Sequence, residues 1–385
     1  MTEDWQNGGF GLYLHWPFCE AKCPYCDFNS HVSRTIDQRA WRDGYLAELS
    51  RAATETKGRV LNAVFFGGGT PSLMDPEVVA DIITAIKTHW PTANDLEITL
   101  EANPSSVEAG RFAAYHQAGI SRVSMGIQAL NDPDLKRLGR IHSVQEALTA
   151  FDTARNEFER VSFDLIYGRQ NQTGAEWGIE LKQALNLAID HISLYQLTIE
   201  NGTAFGDRYA RGTLRGLPDE DLGADMYTLT QDICADMGMA GYEVSNHARD
   251  GAHSRHNLIY WRYGDYIGIG PGAHGRVTIN GTKFATECFS NPKRWLDNAL
   301  IGRTEKPRAA LAQSDQATEF LLMGLRLKEG IDRNRYHAIA GRPLDQEKID
   351  HLCEIGMISV TDGQIIATNQ GFSLLNAVIE ALLPD

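Results

Sequence analysis

Over the first two hundred residues, short runs of β-branched and aromatic residues alternate with longer amphipathic stretches, and this alternation restricts the fold more than any other feature. The runs Phe10–Trp16, Asn62–Phe66, Leu96–Glu101, Ile120–Met125, Arg160–Ile166 and His191–Leu197 have the length and composition of strands. Helical patterns lie between them. Val144, Ala147, Leu148, Phe151 and Ala154 follow the i, i+3, i+4, i+7 spacing, and Ser143 with Glu146 has the spacing of a capping box just ahead of that stripe. Strand–helix units in series predict an α/β fold with a parallel sheet, either doubly wound or curled into a barrel. Polar groups with chemical potential fall at strand C-terminal ends, at Gly67–Thr70, Glu101, Gln128 and Asp164, where barrel active sites form.

Beyond Glu200 the pattern changes. A helix is expected around Asp219–Met239, followed by the segment GYEVSNHARDGAHSRHNLIYWRYGDYIGIGPGAHGR and a hairpin that turns at Asn280-Gly281. The last seventy residues read as three helices and a second hairpin turning at Asp362-Gly363, a winged-helix-like order. From Ile331 to the end there are four Lys+Arg against eight Asp+Glu, a poor surface for phosphates, so this part is expected to pack and not to bind nucleic acid. The formal charge of the whole chain, −14, argues the same way. The expected division is a barrel core over 1–235, a linking segment with a Gly-rich strand over 236–310, and a winged-helix-like domain over 311–385. No apolar run approaches the roughly 20 residues that span a bilayer, and the acidic start MTEDWQNGGF has no secretory pattern, so the cytoplasm is the expected location.

In a reducing compartment six cysteines are not expected to form structural disulfides. Three of them, Cys19, Cys23 and Cys26, crowd into eight residues as Cys-x3-Cys-x2-Cys; Cys234, Cys288 and Cys353 are scattered and read as small buried hydrophobes. Thiolates are the normal ligands of iron–sulfur cubanes. Three on one loop can each hold one iron and leave the fourth open to the amino and carboxylate groups of a methionine-type cofactor, whose reductive cleavage gives a 5′-deoxyadenosyl radical. A structural zinc ion wants four ligands, and no fourth Cys or His has a zinc-like spacing; His31 is nearest. Cys23-Pro-Tyr-Cys26 alone has the form of a dithiol redox motif. That reading leaves Cys19 without a role and goes with a small thioredoxin-like unit, which the long strand–helix series contradicts.

The triad behind its strand, with Tyr13-x-His15 and Pro17-Phe18 just upstream, resembles the radical SAM superfamily and its coproporphyrinogen dehydrogenase-like branch. The resemblance implies a partial (β/α)6 barrel with a C-terminal α+β region, and a [4Fe–4S] cluster on Cys19, Cys23 and Cys26. It also implies S-adenosylmethionine held by Tyr13, Gly67, Gly68, Gly69, Thr70, Glu101, Gln128, Arg140 and Asp164. Singly, each of these polar residues reads equally well as a solvated side chain; their order at successive strand ends is what matches the family. Gly270-Pro-Gly272-Ala-His-Gly275 fits G-x-G-x-x-G, but a dinucleotide site needs a helix to open at the third glycine, and RVTINGTKF reads as a hairpin. In the resembled family this stretch lies near the adenosine end of the cofactor.

His256-Asn257-Leu-Ile-Tyr260-Trp261 resembles the HNxxYW motif of the HemW family of heme chaperones. Imidazole is a common ligand of heme iron, and Tyr and Trp can pack on a flat macrocycle. By residue type alone the histidine reads as a loop cap beside two core aromatics; the motif favours heme, with His247, His253 and His274 as alternative ligands. No Cys-x-x-Cys-His is present, which excludes covalent c-type attachment by that route. The dehydrogenases of the branch carry a further cysteine, as Cys-x-Cys, and an N-terminal extension; here Asp27-Phe28 follow Cys26 and eighteen residues precede Cys19. The resemblance therefore implies a heme chaperone that binds the cluster, S-adenosylmethionine and heme. It would deliver heme to acceptor proteins, membrane-bound respiratory enzymes among the candidates. The competing readings are an oxygen-independent coproporphyrinogen III dehydrogenase and a radical enzyme for another small molecule.

Overall fold

Each apolar run forms a strand in the computed structural model, which describes residues 3–105 and 109–383. The strands are β1 (Phe10–Trp16), β2 (Leu61–Gly68), β3 (Thr92–Ala102), β4 (Arg122–Gln128), β5 (Arg160–Tyr167) and β6 (His191–Gln196). Every neighbouring pair in that series is parallel. The crossovers that parallel pairing requires are α1 (Gln38–Glu55), α2 (Pro76–His89), α3 (Phe112–Ala118), α4 (Val144–Glu157) and α5 (Gly174–Leu187). The Ser143/Glu146 capping box forms and starts α4, and Thr173 with Glu176 makes the same reciprocal pair at α5. Inward apolar residues of the strands and the inner faces of the helices build one core, with Trp16, Phe66, Phe163 and Trp177 fully buried in it.

The barrel sheet reaches beyond these six strands. On one edge β7 (Asn246–Ala248) pairs antiparallel with β6. On the other, β8 (Asp265–Ile269) lies parallel beside β1 and is followed by the antiparallel β9 (His274–Ile279), β10 (Thr282–Glu287) and β11 (Ala309–Ala310). The result is an eleven-stranded sheet whose edges, β7 and β11, do not pair with each other, so the barrel is open. The β9–β10 turn is the expected one, with φ of 51° at Asn280 and 78° at Gly281. The Gly-rich strand is held against β1 by absent side chains: a Cβ at Gly270 (φ +117°) would stand 2.2 Å from the His15 carbonyl oxygen. No helix opens at Gly275, as expected.

A separate apolar cluster around Phe320, Leu321, Tyr336, Ile365 and Ile379 forms the C-terminal core. It is built from α8 (Gln313–Gly324), α9 (Arg333–Ala340), α10 (Gln346–Glu354) and the small sheet β12 (Ile331–Asp332), β13 (Ile358–Thr361) and β14 (Gln364–Ala367), in the order β12-β14-β13. Tyr263, from the linking segment, packs into this cluster, and Glu319 of α8 accepts hydrogen bonds from the Tyr263 hydroxyl (2.9 Å) and Arg276 (2.7 Å). One expectation fails here: Cys234 and Cys288 are buried, but Cys353, near the end of α10, is exposed. No helix among the described residues is long and apolar enough to cross a membrane.

The β8 edge depends on a buried charge. Asp265 is fully buried and pairs with Arg59 (2.7 Å) from the loop before β2 and with Lys283 (3.2 Å) of β10, while the Thr278 hydroxyl donates to it at 3.1 Å. Removing one member of such a network leaves buried charges without a partner, at a cost of about 3–5 kcal/mol. Asp265→Ala is therefore expected to lower the urea midpoint of the purified chain far more than Asp297→Ala, which removes an exposed helical pair with Lys293. Equal midpoints for the two variants would contradict this placement.

Candidate functional site

The cysteine loop leaves the end of β1 and is fastened to the end of β2. Phe18–Cys19 forms a two-residue parallel pair with His31–Val32. The Gly69 N–H donates to the Trp16 carbonyl at 2.7 Å and the Thr70 N–H to the Phe18 carbonyl at 2.8 Å. This close approach is what the glycines allow: a Cβ on Gly69 would meet the Phe18 carbonyl oxygen at 2.6 Å, and one on Gly68 (φ +110°) would meet the His15 ring at 2.6 Å. Cys19, Cys23 and Cys26 consequently line one small cavity of about 160 Å3. No three His, Cys, Asp or Glu side chains among the described residues close on a common point. Thiols spaced around a cavity suit a cubane, each of whose corners takes one thiolate, better than a single tetrahedral ion. Burial pushes the Cys19 and Cys26 thiols up, so loading a metal there must expel protons. Arg140 Nη1 donates to Cys23 Sγ at 3.3 Å, which supports negative charge on that sulfur.

The strand ends supply the opposite wall. Glu101 at the end of β3, Gln128 at the end of β4 and Asp164 on β5 all line the cysteine cavity, with Gly68, Gly69, Thr70 and Arg140. The Gly68 N–H donates to Glu101 at 3.2 Å, and the Ser124 hydroxyl donates to Asp164 at 3.3 Å. Burial, then the negative charge of Asp164, holds the Glu101 carboxyl up at about 8; burial holds Asp164 up at about 6. A ligand ammonium or hydroxyl would relieve both. Gln128 reaches this wall through a feature the sequence does not announce. The β4–β5 register slips between Met125 and Gln128, and Gln128 adopts φ of 75°, a strained conformation for a non-glycine residue.

Three lining residues went unnoticed in the sequence. Asn103 accepts from Arg140 Nη2 at 2.7 Å and donates to the Thr70 hydroxyl at 3.1 Å, joining the glycine motif to the arginine. Ser124 holds Asp164, and His142 sits with Nε2 3.1 Å from the Ile127 carbonyl, its pKa pushed down to about 4 by burial. Position was the only signal for Asn103 and Ser124, just after and on a strand, while His142, in the loop before α4, had none.

Two expected cofactor residues are not on this wall. Gly67 lacks a Cβ because the Tyr13 and Phe65 rings occupy that space, at 2.9 Å. Tyr13 faces a different groove, and its hydroxyl lies 3.0 Å from His15 Nδ1. Since His15 Nε2 lies 2.9 Å from the Asn29 carbonyl, which can only accept, Nδ1 takes the hydrogen bond from Tyr13.

The HNxxYW residues are divided by the geometry of their helix, α7 in Arg255–Trp261 counted apart from α6 (Glu220–Asp236). His256 and Tyr260, four apart, share one face. His256 is 2% exposed, stacked on Phe65 (4.7 Å between centroids) and met edge-on by Tyr260 (4.5 Å). Neither ring nitrogen has a hydrogen-bond partner among the described residues, and burial pushes its pKa down to about 3. Asn257 lies near the Tyr242 hydroxyl instead, and the Trp261 backbone lies against Gly324 of α8. The four residues therefore do not form the single heme-facing set that the sequence suggested. His256 cannot meet a macrocycle unless its aromatic stack opens.

The sequence matches the radical SAM superfamily over residues 13–181 and the HemN C-terminal domain over 311–374. It is 36% identical to heme chaperone HemW of Escherichia coli, with 97% of this chain and 98% of that protein aligned. It is also 36% identical to the mitochondrial radical S-adenosyl methionine domain-containing protein 1 of Bos taurus, over 97% of this chain and 87% of that one. The chain belongs to the radical SAM superfamily and to the HemW family within it. The fold agrees: the structure of coproporphyrinogen III oxidase (HemN) from Escherichia coli superposes with a TM-score of 0.80 at 20% identity, over 98% of this chain and 92% of that one. Membership of the radical SAM superfamily implies a [4Fe–4S] cluster and S-adenosylmethionine. The lining suits both, with three thiols and two carboxyls held above their ordinary values.

The carboxyls of this radical SAM site give a pH signature. Glu101 keeps its proton in the folded chain between its ordinary value of 4.5 and about 8, where the unfolded chain has lost it. Its contribution to stability is complete below 4.5 and lost as pH climbs through about 8, and Asp164, at about 6, acts in the same sense. The urea midpoint of the cofactor-free chain is expected to fall from about pH 5 to about pH 9, and Glu101→Gln is expected to flatten that slope. A slope unchanged by the substitution would show that Glu101 is not the buried acid.

Proposed function

We propose that this chain is a heme chaperone. It carries a [4Fe–4S] cluster on Cys19, Cys23 and Cys26, S-adenosylmethionine against Gly68, Gly69, Thr70, Glu101, Gln128, Arg140 and Asp164, and heme, which it delivers to acceptor proteins. The observation that carries the reading is the identity of 36% to a heme chaperone over 97% of this chain. The cysteine cavity supports it. When bound, a cluster with one open iron chelates the amino and carboxylate groups of S-adenosylmethionine and can pass it an electron. The chain's own part would be to hold three thiolates apart, to steady Cys23 through Arg140, and to face a bound cofactor with the carboxyls of Glu101 and Asp164. Free thiols of this kind suit a reducing compartment, the cytoplasm in our reading, and membrane-bound respiratory enzymes are one class of acceptor.

HemN shares the fold, so oxidative decarboxylation of coproporphyrinogen III is the alternative. Phe28 speaks against it. It stands where the dehydrogenase-like branch has its additional thiol, is 57% exposed, and lines the cysteine cavity with a ring that offers no proton or ligand.

Two measurements test this account. After anaerobic reconstitution, Cys19→Ser, Cys23→Ser and Cys26→Ser are each expected to lose cluster iron and the thiolate-to-iron absorption, whereas Cys234→Ser, Cys288→Ser and Cys353→Ser keep both. The reconstituted wild type, supplied with S-adenosylmethionine and a reductant, is expected to leave coproporphyrinogen III unchanged and to take up heme. Sustained porphyrinogen turnover without heme uptake would replace the chaperone by the enzyme.

A further inference from the structure

Of the four histidines near the HNxxYW segment, two are closed off and a third is partly covered. His256 lies inside its aromatic stack, His247 is buried with Nε2 3.2 Å from the Gln231 side-chain amide, and one face of His253 is covered by Tyr242 at 4.3 Å. His274 differs. It opens β9 directly after the glycine turn, is exposed, and its ring makes no hydrogen bond with a described residue. It lines an open groove of about 540 Å3 together with the rings of Tyr13, Phe28, Tyr260 and Tyr266 and the polar side chains of Asp27 and Asn29. That volume is within the range of small-molecule sites, about 300–1,000 Å3. The wall is already assembled, since Tyr260 and Tyr266 meet edge-on at 4.3 Å. Glu287, the cross-strand partner of His274, lines the same groove and accepts a hydrogen bond from Lys306.

Flat aromatic walls around one free imidazole suit a broad apolar ring that carries a metal seeking an axial nitrogen. We infer that His274 is the axial ligand of heme bound in this groove, an inference that rests on the heme-carrier reading above. Tyr260 is then the residue through which the HNxxYW helix touches the macrocycle, and His256 braces Tyr13 and Tyr260 from behind. Phe28 lines both this groove and the cysteine cavity, so one ring separates the heme from the cluster site. The substitution of a thiol by Phe28 gains a reason: the position serves as a wall.

The test is a titration of the cluster-reconstituted protein with limiting ferric heme, followed by Soret absorption. The wild type is expected to show the band of an imidazole complex. His274→Ala, an exposed site whose fold is checked by unchanged cluster iron, should bind on the order of ten- to a hundredfold more weakly, with a shifted band. Free imidazole added to that variant should restore the band. His256→Phe, which preserves the ring stack, should keep it. A wild type that takes up no heme ends the heme-carrier reading and this inference together. If the wild type binds heme, His274→Ala titrates identically and His256→Phe loses the band, the carrier reading stands and only the assignment to His274 is overturned.

Discussion

Two backbone hydrogen bonds, from Gly69 to Trp16 and from Thr70 to Phe18, fasten the cysteine loop to the end of the neighbouring strand. Without that docking the loop would be a tether of eight residues carrying three thiols, whose spacing in space nothing would define. With it, the thiols open on the strand ends that bear Glu101, Gln128 and Asp164. The glycines therefore serve first as a packing surface, since the room a Cβ would need is already taken by His15 and Phe18. Substrate approach is the second use of the same bareness, and the order matters for reading such motifs elsewhere.

Charge is arranged to the same end. The cavity holds two carboxyls whose hydrogen-bond partners are a peptide N–H and a hydroxyl, not cations, while its one arginine is turned to Cys23, Asn103 and the Gly126 carbonyl. Burial is costly for an ionised acid and raises both carboxyls in spite of the charge of Arg122 nearby. Such a wall is prepared for a ligand that brings its own positive charge. Deeper in the barrel a hydrogen-bonded chain begins at a buried cation: Arg122 bonds Ser162 and His191, and His191 in turn meets Tyr242 at 3.0 Å.

What was legible in the sequence was local or periodic. The six strands follow from composition, α4 from its stripe and capping box, and both hairpin turns from Asn-Gly and Asp-Gly pairs. The cysteine triad was legible because its ligands are contiguous. Long-range facts were not. Nothing in GDYIGIG says that β8 will lie beside β1, and the charges that meet its buried Asp265, Arg59 and Lys283, come from distant segments. In SMGIQ one glycine, Gly126, sits inside the register slip, but a lone glycine in a strand does not say that Gln128 will turn into the cavity. The HNxxYW motif reads as one unit along the chain, yet 3.6 residues per turn send His256 with Tyr260 one way and Asn257 another. Cys353 was misread for the same reason: burial is decided by which face of α10 meets the core.

The central claim is a cluster with three thiolate corners and one open iron facing the strand-end wall. Electron–nuclear double resonance on the reduced, reconstituted protein tests it most directly, using S-adenosylmethionine labelled at the amino nitrogen and carboxylate oxygens. The expected result is hyperfine coupling of both labels to the cluster, with an EPR spectrum that changes when the cofactor is added. A spectrum indifferent to S-adenosylmethionine, with no coupling to either label, would mean that the fourth iron is closed and would contradict the account.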